Sequence, residues 1–265
     1  MRNHLVISKI SAMHFFRLTY RSIMLLLALI IYIFSFASSR INIAELPTWV
    51  LTVIWCVFVF EMISRFFPSS FEGKGCEKQF AKNYIPTGKP YTKTAYVEKQ
   101  NKAAFIVFLF WILLNGTFGV LYLFHIFTKE VMLLIALTYS VCDMICILFF
   151  CPFHTLIMKN KCCGTCRIYN WDYAMIFTPF LFIPSFFTWS LLGIALILMI
   201  KWEILIHLHP ERFYEMTNAS LSCRNCEEKL CHHKKSLQHF LSTQKENYSS
   251  ILDDHLKNII EHKNS

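Results

Sequence analysis

The stretch that decides the architecture of this chain runs from residue 161 to residue 172 and reads KCCGTCRIYNWD. It places three thiols, two cations and a carboxylate at the entrance of a long apolar run. The chain upstream is typical of a membrane anchor. The chain downstream passes through a further apolar region before it reaches a second group of thiols. The predicted fold therefore depends on whether the apolar run after residue 172 brings the two thiol groups to one face.

The composition is that of a membrane protein. Of the 265 residues, 55% are hydrophobic and 16% are charged, whereas a soluble domain has about 25% charged residues. The net charge is +9, but the basic residues lie between apolar runs and do not form one stripe. This pattern indicates orientation in a lipid bilayer with anionic headgroups, and it excludes nucleic acid as a partner.

Six apolar stretches predict an all-α integral membrane bundle of about six spans within residues 22–209. The first stretch could instead be a cleaved signal peptide, but the apolar runs that follow favour a retained span. Residues 167–183 are at the lower length limit, so five spans, one long kinked span or a re-entrant half-helix are alternatives. The expected spans lie near 22–36, 47–67, 103–127, 131–151, 167–183 and 185–209.

Charge predicts the orientation of these spans. The N-terminal segment 1–21, the Lys-rich loop 68–102 and the connection 152–167 are basic, whereas the turns at 37–46, 128–130 and 183–185 hold only Arg40 and Lys129 as cations. This alternation predicts that both termini are cytoplasmic. The polar tail 210–265, which ends in a short amphipathic helix, would then also be cytoplasmic; with five spans it would lie outside.

Two C-x-x-C pairs, Cys163/Cys166 and Cys223/Cys226, predict a metal site. Two such pairs are the usual way in which four thiolates reach one zinc ion. The interval between them is long, but a helical hairpin would return the chain to the face it left. Zinc is preferred to an iron–sulfur cluster, and the alternative is a set of reduced surface thiols. The candidate ligands are Cys162, Cys163, Cys166, Cys223, Cys226, Cys231 and His232.

The same thiols allow an enzymatic interpretation. Cys163 is close in sequence to Lys161 and Arg167, which would favour its thiolate. A membrane thiol–disulfide oxidoreductase could therefore use Cys163 and Cys166 as its working pair. The lack of a βαβ pattern around the motif and its predicted position on the reducing side of the membrane argue against this interpretation.

Charged residues within the apolar runs form a second candidate site. Asp143 lies well inside the fourth predicted span, where a carboxylate without a partner is costly. Glu203 and His207 are four residues apart and share a helix face. Arg167, Lys201 or Arg212 could neutralise the other carboxylates, but Asp143 has no evident partner nearby in sequence. If the bundle closes suitably, a metal- or proton-handling site, able to support hydrolysis, would combine Asp143, His154, Asp172, Glu203 and His207.

The pattern Cys162-Cys163-x-x-Cys166-Arg167-Ile168-x-x-Trp171-Asp172, followed by an apolar hairpin and by His209-Pro210-Glu211-Arg212-Phe213, resembles a group of uncharacterised bacterial multi-spanning membrane proteins. The resemblance covers the C-terminal part of the chain. That group has no established activity, so the resemblance implies an architecture in the bacterial cytoplasmic (inner) membrane and no function.

Two classes of function follow from these observations. In the first, the metal-bound face is a structural or sensory platform for an unidentified membrane or cytoplasmic partner, or part of a small transport unit that acts as a homodimer. In the second, the chain is an enzyme that acts through Cys163 and Cys166 or through Asp143, Glu203 and His207. No recognised catalytic signature decides between them.

Overall fold

The fold is helical throughout the part of the chain that the computed structural model describes. That part comprises residues 9–38, 47–68, 77–92, 94–160 and 163–222, with the backbone alone described at 9–11, 36–38 and 163. The predicted all-α class is confirmed, since the described residues hold no β-strand beyond an isolated bridge between Pro86 and Asn218. The α-helices are α1 (Lys9–Ser38), α2 (Thr48–Ser64), α3 (Ala95–Leu123), α4 (Lys129–Leu148), α5 (Asp172–Phe177) and α6 (Phe186–Leu208).

Four of these helices are long and apolar enough to cross a membrane. They are Ala12–Ser35 within α1, and the whole of α3, α4 and α6. The prediction of a membrane protein is therefore confirmed. The prediction of six spans is not confirmed by helix length, because α2 has 17 residues and α5 has only six.

Helix α1 begins earlier than the sequence predicted. The expected span started at residue 22, after a basic segment, but the helix already includes Arg17 and Arg21. Both side chains are buried. They do not mark the end of the span, because each forms an ion pair with a carboxylate of a neighbouring helix. Buried pairing of this kind removes the usual reason for a cation to lie at the membrane boundary.

The predicted fifth span is a broken helix that lies inside the bundle. We call residues 169–182 the inner segment; it consists of a 3₁₀ turn, then α5, then a second 3₁₀ turn at Thr178–Phe182. Pro179 cannot continue the α-helical hydrogen bonds, which explains the change of geometry. The segment covers about 25 Å. It packs against α3, α4 and α6 and buries Tyr173, Ile176 and Phe177.

The connections after α2, α4 and α6 meet at one end of the bundle, which we call the basic end. There Lys201 donates a hydrogen bond to the carbonyl of Phe66 at 2.6 Å, and Gln79 donates to the carbonyl of Gly164 at 3.0 Å. At the opposite end the ring of Phe182 lies against Gly119 of α3. The inner segment therefore runs from the basic end, where Asp172 lies, to the opposite end.

Trp202 of α6 holds the polar connections in place at the basic end. Its side chain is fully buried. The ring of Phe80 packs edge-on against it at 5.2 Å between ring centroids, and the ring of Phe213 does so at 6.1 Å. One indole thus anchors both the connection before α3 and the segment after α6.

Candidate functional site

Six buried or nearly buried charged side chains meet near the basic end, inside the bundle. We call this group the ion cluster. It contains three guanidinium groups and three carboxylates, so its formal charges balance. It joins α1, α2, α4 and α5. Its members are Arg17, Arg21, Glu61, Arg65, Asp143 and Asp172.

Glu61 is the most heavily contacted member of the ion cluster. Its carboxylate lies 2.7 Å from Nη2 of Arg21 and 3.1 Å from Nε of Arg17. The phenols of Tyr20 and Tyr173 donate hydrogen bonds to it at 2.6 and 3.0 Å. A buried carboxylate needs such donors to replace water, so these contacts account for an acid inside an apolar helix.

Asp143 has a partner that lies far away in sequence. Nη1 of Arg21 is 3.3 Å from its Oδ2 atom, across 122 positions of sequence, and also donates to the carbonyl of Ser140 at 3.1 Å. Arg65 forms a similar pair with Asp172, at 2.5 Å, with its guanidinium over the Tyr173 ring at 4.5 Å. The two carboxylates are therefore part of one charge-balanced structure.

A cavity of about 260 Å³ adjoins the ion cluster, and we call it the thiol cavity. Three of the predicted site residues, Asp143, His154 and Asp172, line it together. Aromatic rings form much of the remaining wall. Four cysteines from two parts of the chain complete the lining: Cys142, Cys146, Cys151 and Cys166.

The other two predicted site residues, Glu203 and His207, line a different cleft at the basic end, of about 550 Å³. Arg167 donates two hydrogen bonds to the Glu203 carboxylate at 2.5 Å each, and the Trp171 indole donates a third at 2.6 Å. The predicted grouping of all five residues is thus not formed. The inner segment packs against both α4, which carries Asp143, and α6, which carries Glu203.

Tyr214 forms part of the same cleft. Its ring stacks on that of Tyr91 with the centroids 5.8 Å apart. Burial raises the pKa of Tyr214 to about 12, because the phenolate would lose its hydration. This phenol therefore remains protonated at neutral pH, where it can donate a hydrogen bond but cannot act as a base.

Most of the predicted metal ligands lie outside the described residues: Cys162, Cys223, Cys226, Cys231 and His232. Cys163 begins a short 3₁₀ turn. Cys166 is buried and lines both the thiol cavity and a small cavity that it shares with Phe213 and Tyr214. Within the described part of the chain, no group of three His, Cys, Asp or Glu residues is placed to hold a metal ion.

Sequence reasoning missed the two arginines that α1 contributes to the ion cluster. It assigned Arg17 and Arg21 to a cytoplasmic segment, although their spacing of four places them on one helix face. It also did not associate Cys151 with Cys146, because the chain direction changes between them after α4 ends at Leu148. The spacing of the arginines was a usable signal, whereas the turn after Leu148 was not.

Comparison with known proteins adds no relative to these observations. No protein-family model, no curated protein and no solved structure matches the chain.

Proposed function

We propose that this chain is a six-crossing protein of the bacterial cytoplasmic membrane. Its basic end would face the cytoplasm, where a zinc–thiolate site would hold the polar tail in place as a platform for a partner protein. The observation that carries this proposal is the docking of the segment after α6 beside the turn that contains Cys163 and Cys166.

Several hydrogen bonds support this docking. Gln79 donates to the Gly164 carbonyl and accepts from the side-chain amide of Asn170 at 3.0 Å. The adjacent residue, Lys78, provides a carbonyl to which Asn218 donates at 3.0 Å. Phe213 and Tyr214 also line one small cavity with Thr165 and Cys166. In sequence, Cys223 follows directly after this segment, which the structure describes as far as Ser222.

The course of the inner segment supports an even number of crossings. A broken helix is tolerated at membrane depth only where other parts of the protein cover it. The inner segment meets this condition, since Tyr173, Ile176, Phe177 and Phe180 are buried. With α2 and this segment as short crossings, α1 starts and α6 ends at the same end of the bundle.

The distribution of cations supports a cytoplasmic position for that end. At the basic end, exposed lysines lie after α2, in the first turns of α3 and before the turn that contains Cys163 and Cys166. At the opposite end, the turn between α3 and α4 exposes only one lysine among the described residues, Lys129. An excess of Lys and Arg on one side is the usual mark of the cytoplasmic face. The lysines in question are Lys82, Lys89, Lys99, Lys102 and Lys159.

A platform is favoured over a hydrolase by the state of the carboxylates. Asp143, Asp172 and Glu203 each form an ion pair with an arginine. Glu203 and His207 line a different cavity from Asp143. The three residues proposed for hydrolysis therefore do not converge on one substrate position, which such chemistry requires.

The test is metal analysis of the full-length chain, purified anaerobically in detergent. We expect one zinc per chain, and loss of the zinc in a Cys163→Ser/Cys166→Ser variant and in a Cys223→Ser/Cys226→Ser variant. Cys56→Ser is the matched control, because Cys56 is exposed on α2, far from the turn in sequence. Absence of stoichiometric zinc, its replacement by iron, or its retention in both double variants would overturn the proposal.

A further inference from the structure

Helix α4 ends in a tight turn, and one cysteine on each side of that turn lines the thiol cavity. The helix ends at Leu148, and the amides of Phe149 and Phe150 both donate to the carbonyl of Ile145. Cys151 follows this tight turn and lines the thiol cavity together with Cys146 of α4, close enough for the two thiols to interact. A disulfide requires two cysteines that lie side by side, and these two meet in one cavity wall.

Cys151 has a donor at its sulfur. The backbone N–H of His154 points at its Sγ atom at 3.4 Å. A hydrogen bond to sulfur stabilises the thiolate, which is the reactive form of cysteine. Cys151 is therefore the better nucleophile of the pair, and Cys146 is placed to supply the second sulfur of the disulfide.

The pair faces a cavity whose other walls suit a flat, apolar molecule. The rings of Trp111, Tyr139, Phe153 and Tyr169 line the thiol cavity with Cys146 and Cys151. Its volume of about 260 Å³ accommodates a substituted six-membered ring. Aromatic walls with a few polar groups are the usual form of a small-molecule site.

The cavity is accessible from the lipid-facing side of the bundle. Two of its lining residues are exposed, namely Cys142 on α4 and Pro152 just after α4. Helix α4 has the length and hydropathy of a membrane span, and Ile145 and Phe150 nearby are also exposed. A molecule dissolved in the bilayer would therefore reach the thiols without crossing water.

We propose that Cys146 and Cys151 form a redox pair that passes two electrons to a lipid-soluble quinone bound in the thiol cavity. Both S–H bonds break and one S–S bond forms. The two carbonyl oxygens of the quinone gain two electrons and two protons, which gives the hydroquinone. His154 lines the same cavity and is the group that relays these protons.

This assignment differs from the redox interpretation of Cys163 and Cys166, and neither Cys146 nor Cys151 is among the proposed zinc ligands. The assignment depends on Cys146 of α4 and on Cys151 in the turn after it, and the structure describes both side chains. Cys166 lines the same cavity, but its contacts include the apolar cluster of Ala104, Val107 and Met158.

The experiment uses the full-length chain, reduced and then freed of reductant under argon in detergent. A short-chain substituted benzoquinone is added, its reduction is followed by absorbance, and the remaining thiols are tagged with maleimide and mapped by peptide mass. We expect one hydroquinone per chain, loss of two thiols, and a disulfide that joins Cys146 to Cys151. This mapping uses the unmutated chain, so it does not depend on the folding of a variant.

Serine variants test whether Cys146 and Cys151 supply the electrons that reduce the quinone. C146S and C151S should each abolish hydroquinone formation, whereas C56S should retain it, because Cys56 is exposed on α2 and does not line the thiol cavity. The proposal is overturned if the unmutated chain leaves the quinone oxidised, if the disulfide maps to another pair, or if C151S reduces quinone at the unmutated rate.

Discussion

Glu61 illustrates, at the scale of one residue, how an acid is held inside an apolar helix. Its carboxylate forms ion pairs with both guanidinium groups of α1 and accepts hydrogen bonds from two phenols. Breaking a buried pair by removing one partner costs about 3–5 kcal/mol, because the other charge remains buried. We therefore expect E61Q to lower the free energy of unfolding by about 3–5 kcal/mol, measured by thermal denaturation in detergent.

The control for this change is Glu98→Gln. Glu98 is exposed in the first turn of α3, so its loss should change stability little. In the double variant E61Q/R17Q the charges balance again, and part of the lost stability should return. Equal melting temperatures for E61Q and the unmutated chain would show that the ion cluster does not stabilise the bundle.

Gly119 marks the closest approach between α3 and the inner segment. A methyl group at this position would lie closer than 3.0 Å to the ring of Phe182. Overpacking of this kind costs about 1–3 kcal/mol, so Gly119→Ala should lower the melting temperature in detergent. Gly116→Ala is the matched control on the same helix, because nothing lies within 4 Å of a Cβ atom there.

Of the two glycine variants, only Gly119→Ala should lower stability. Alanine is a better helix former than glycine by about 1 kcal/mol, so Gly116→Ala should be neutral or stabilising. A second change, Phe182→Leu, should restore stability to Gly119→Ala by vacating the space that the ring occupies. Identical behaviour of the two glycine variants would contradict the close packing of the inner segment on α3.

At the scale of elements, the inner segment shows where local pattern misleads. Residues 167–183 are apolar enough to resemble a span, and this is what the sequence predicted. Most of its apolar side chains, among them Tyr173, Ile176 and Phe177, are buried inside the bundle, and α5 has only six residues. Hydropathy reports burial in either lipid or protein, so it could not distinguish an inner segment from a lipid-facing helix.

The segment after α6 is held by Asn218, whose side chain is completely buried. Its amide donates to the carbonyls of Lys78 and Arg212, and its oxygen accepts from the amides of Ile85 and Ser220. Buried groups that lose a hydrogen-bond partner each cost about 1–3 kcal/mol. We expect Asn218→Ala to release this segment from the basic end.

Hydrogen–deuterium exchange would detect the release. The amide hydrogens of Thr87 and Ala219, which bridge the two connections, should exchange faster in Asn218→Ala. The exposed neighbour Met216 provides the control Met216→Ala, which should leave these rates unchanged. The zinc content should fall with Asn218→Ala if docking of the tail assembles the proposed metal site. Unchanged exchange would show that Asn218 does not hold the segment.

At the scale of the whole molecule, the ends of the bundle differ in polarity and charge. The basic end carries the ion cluster, the docked segment and most of the exposed lysines. We expect K129C to react with a membrane-impermeant maleimide in intact cells, because Lys129 lies at the opposite end. K82C should react only after permeabilisation. Peptide mapping distinguishes the label on each introduced cysteine from labels on the native thiols. Labelling of K82C in intact cells, with K129C labelled only after permeabilisation, would contradict the proposed orientation.

The sequence alone determined the class of the protein and most of its long helices. Apolar runs that contain Leu, Ile and Phe predict membrane helices because hydrophobicity is a local property. The predicted spans for α3, α4 and α6 agree with the structure, with boundaries that differ by several residues at the N-terminus of α3. The clustering of basic residues in the connections also follows from the sequence.

Only the tertiary structure decided which charges and thiols meet. Arg21 pairs with Asp143 across 122 positions, and this contact depends on the packing of α1 against α4. In the same way, the turn after α4 places Cys151 in one cavity wall with Cys146. The inner segment packs against both α4, which carries Asp143, and α6, which carries Glu203, and these two carboxylates line different cavities. Local pattern fixes what a segment is, whereas pairing between distant side chains is fixed by the three-dimensional packing of the segments that carry them.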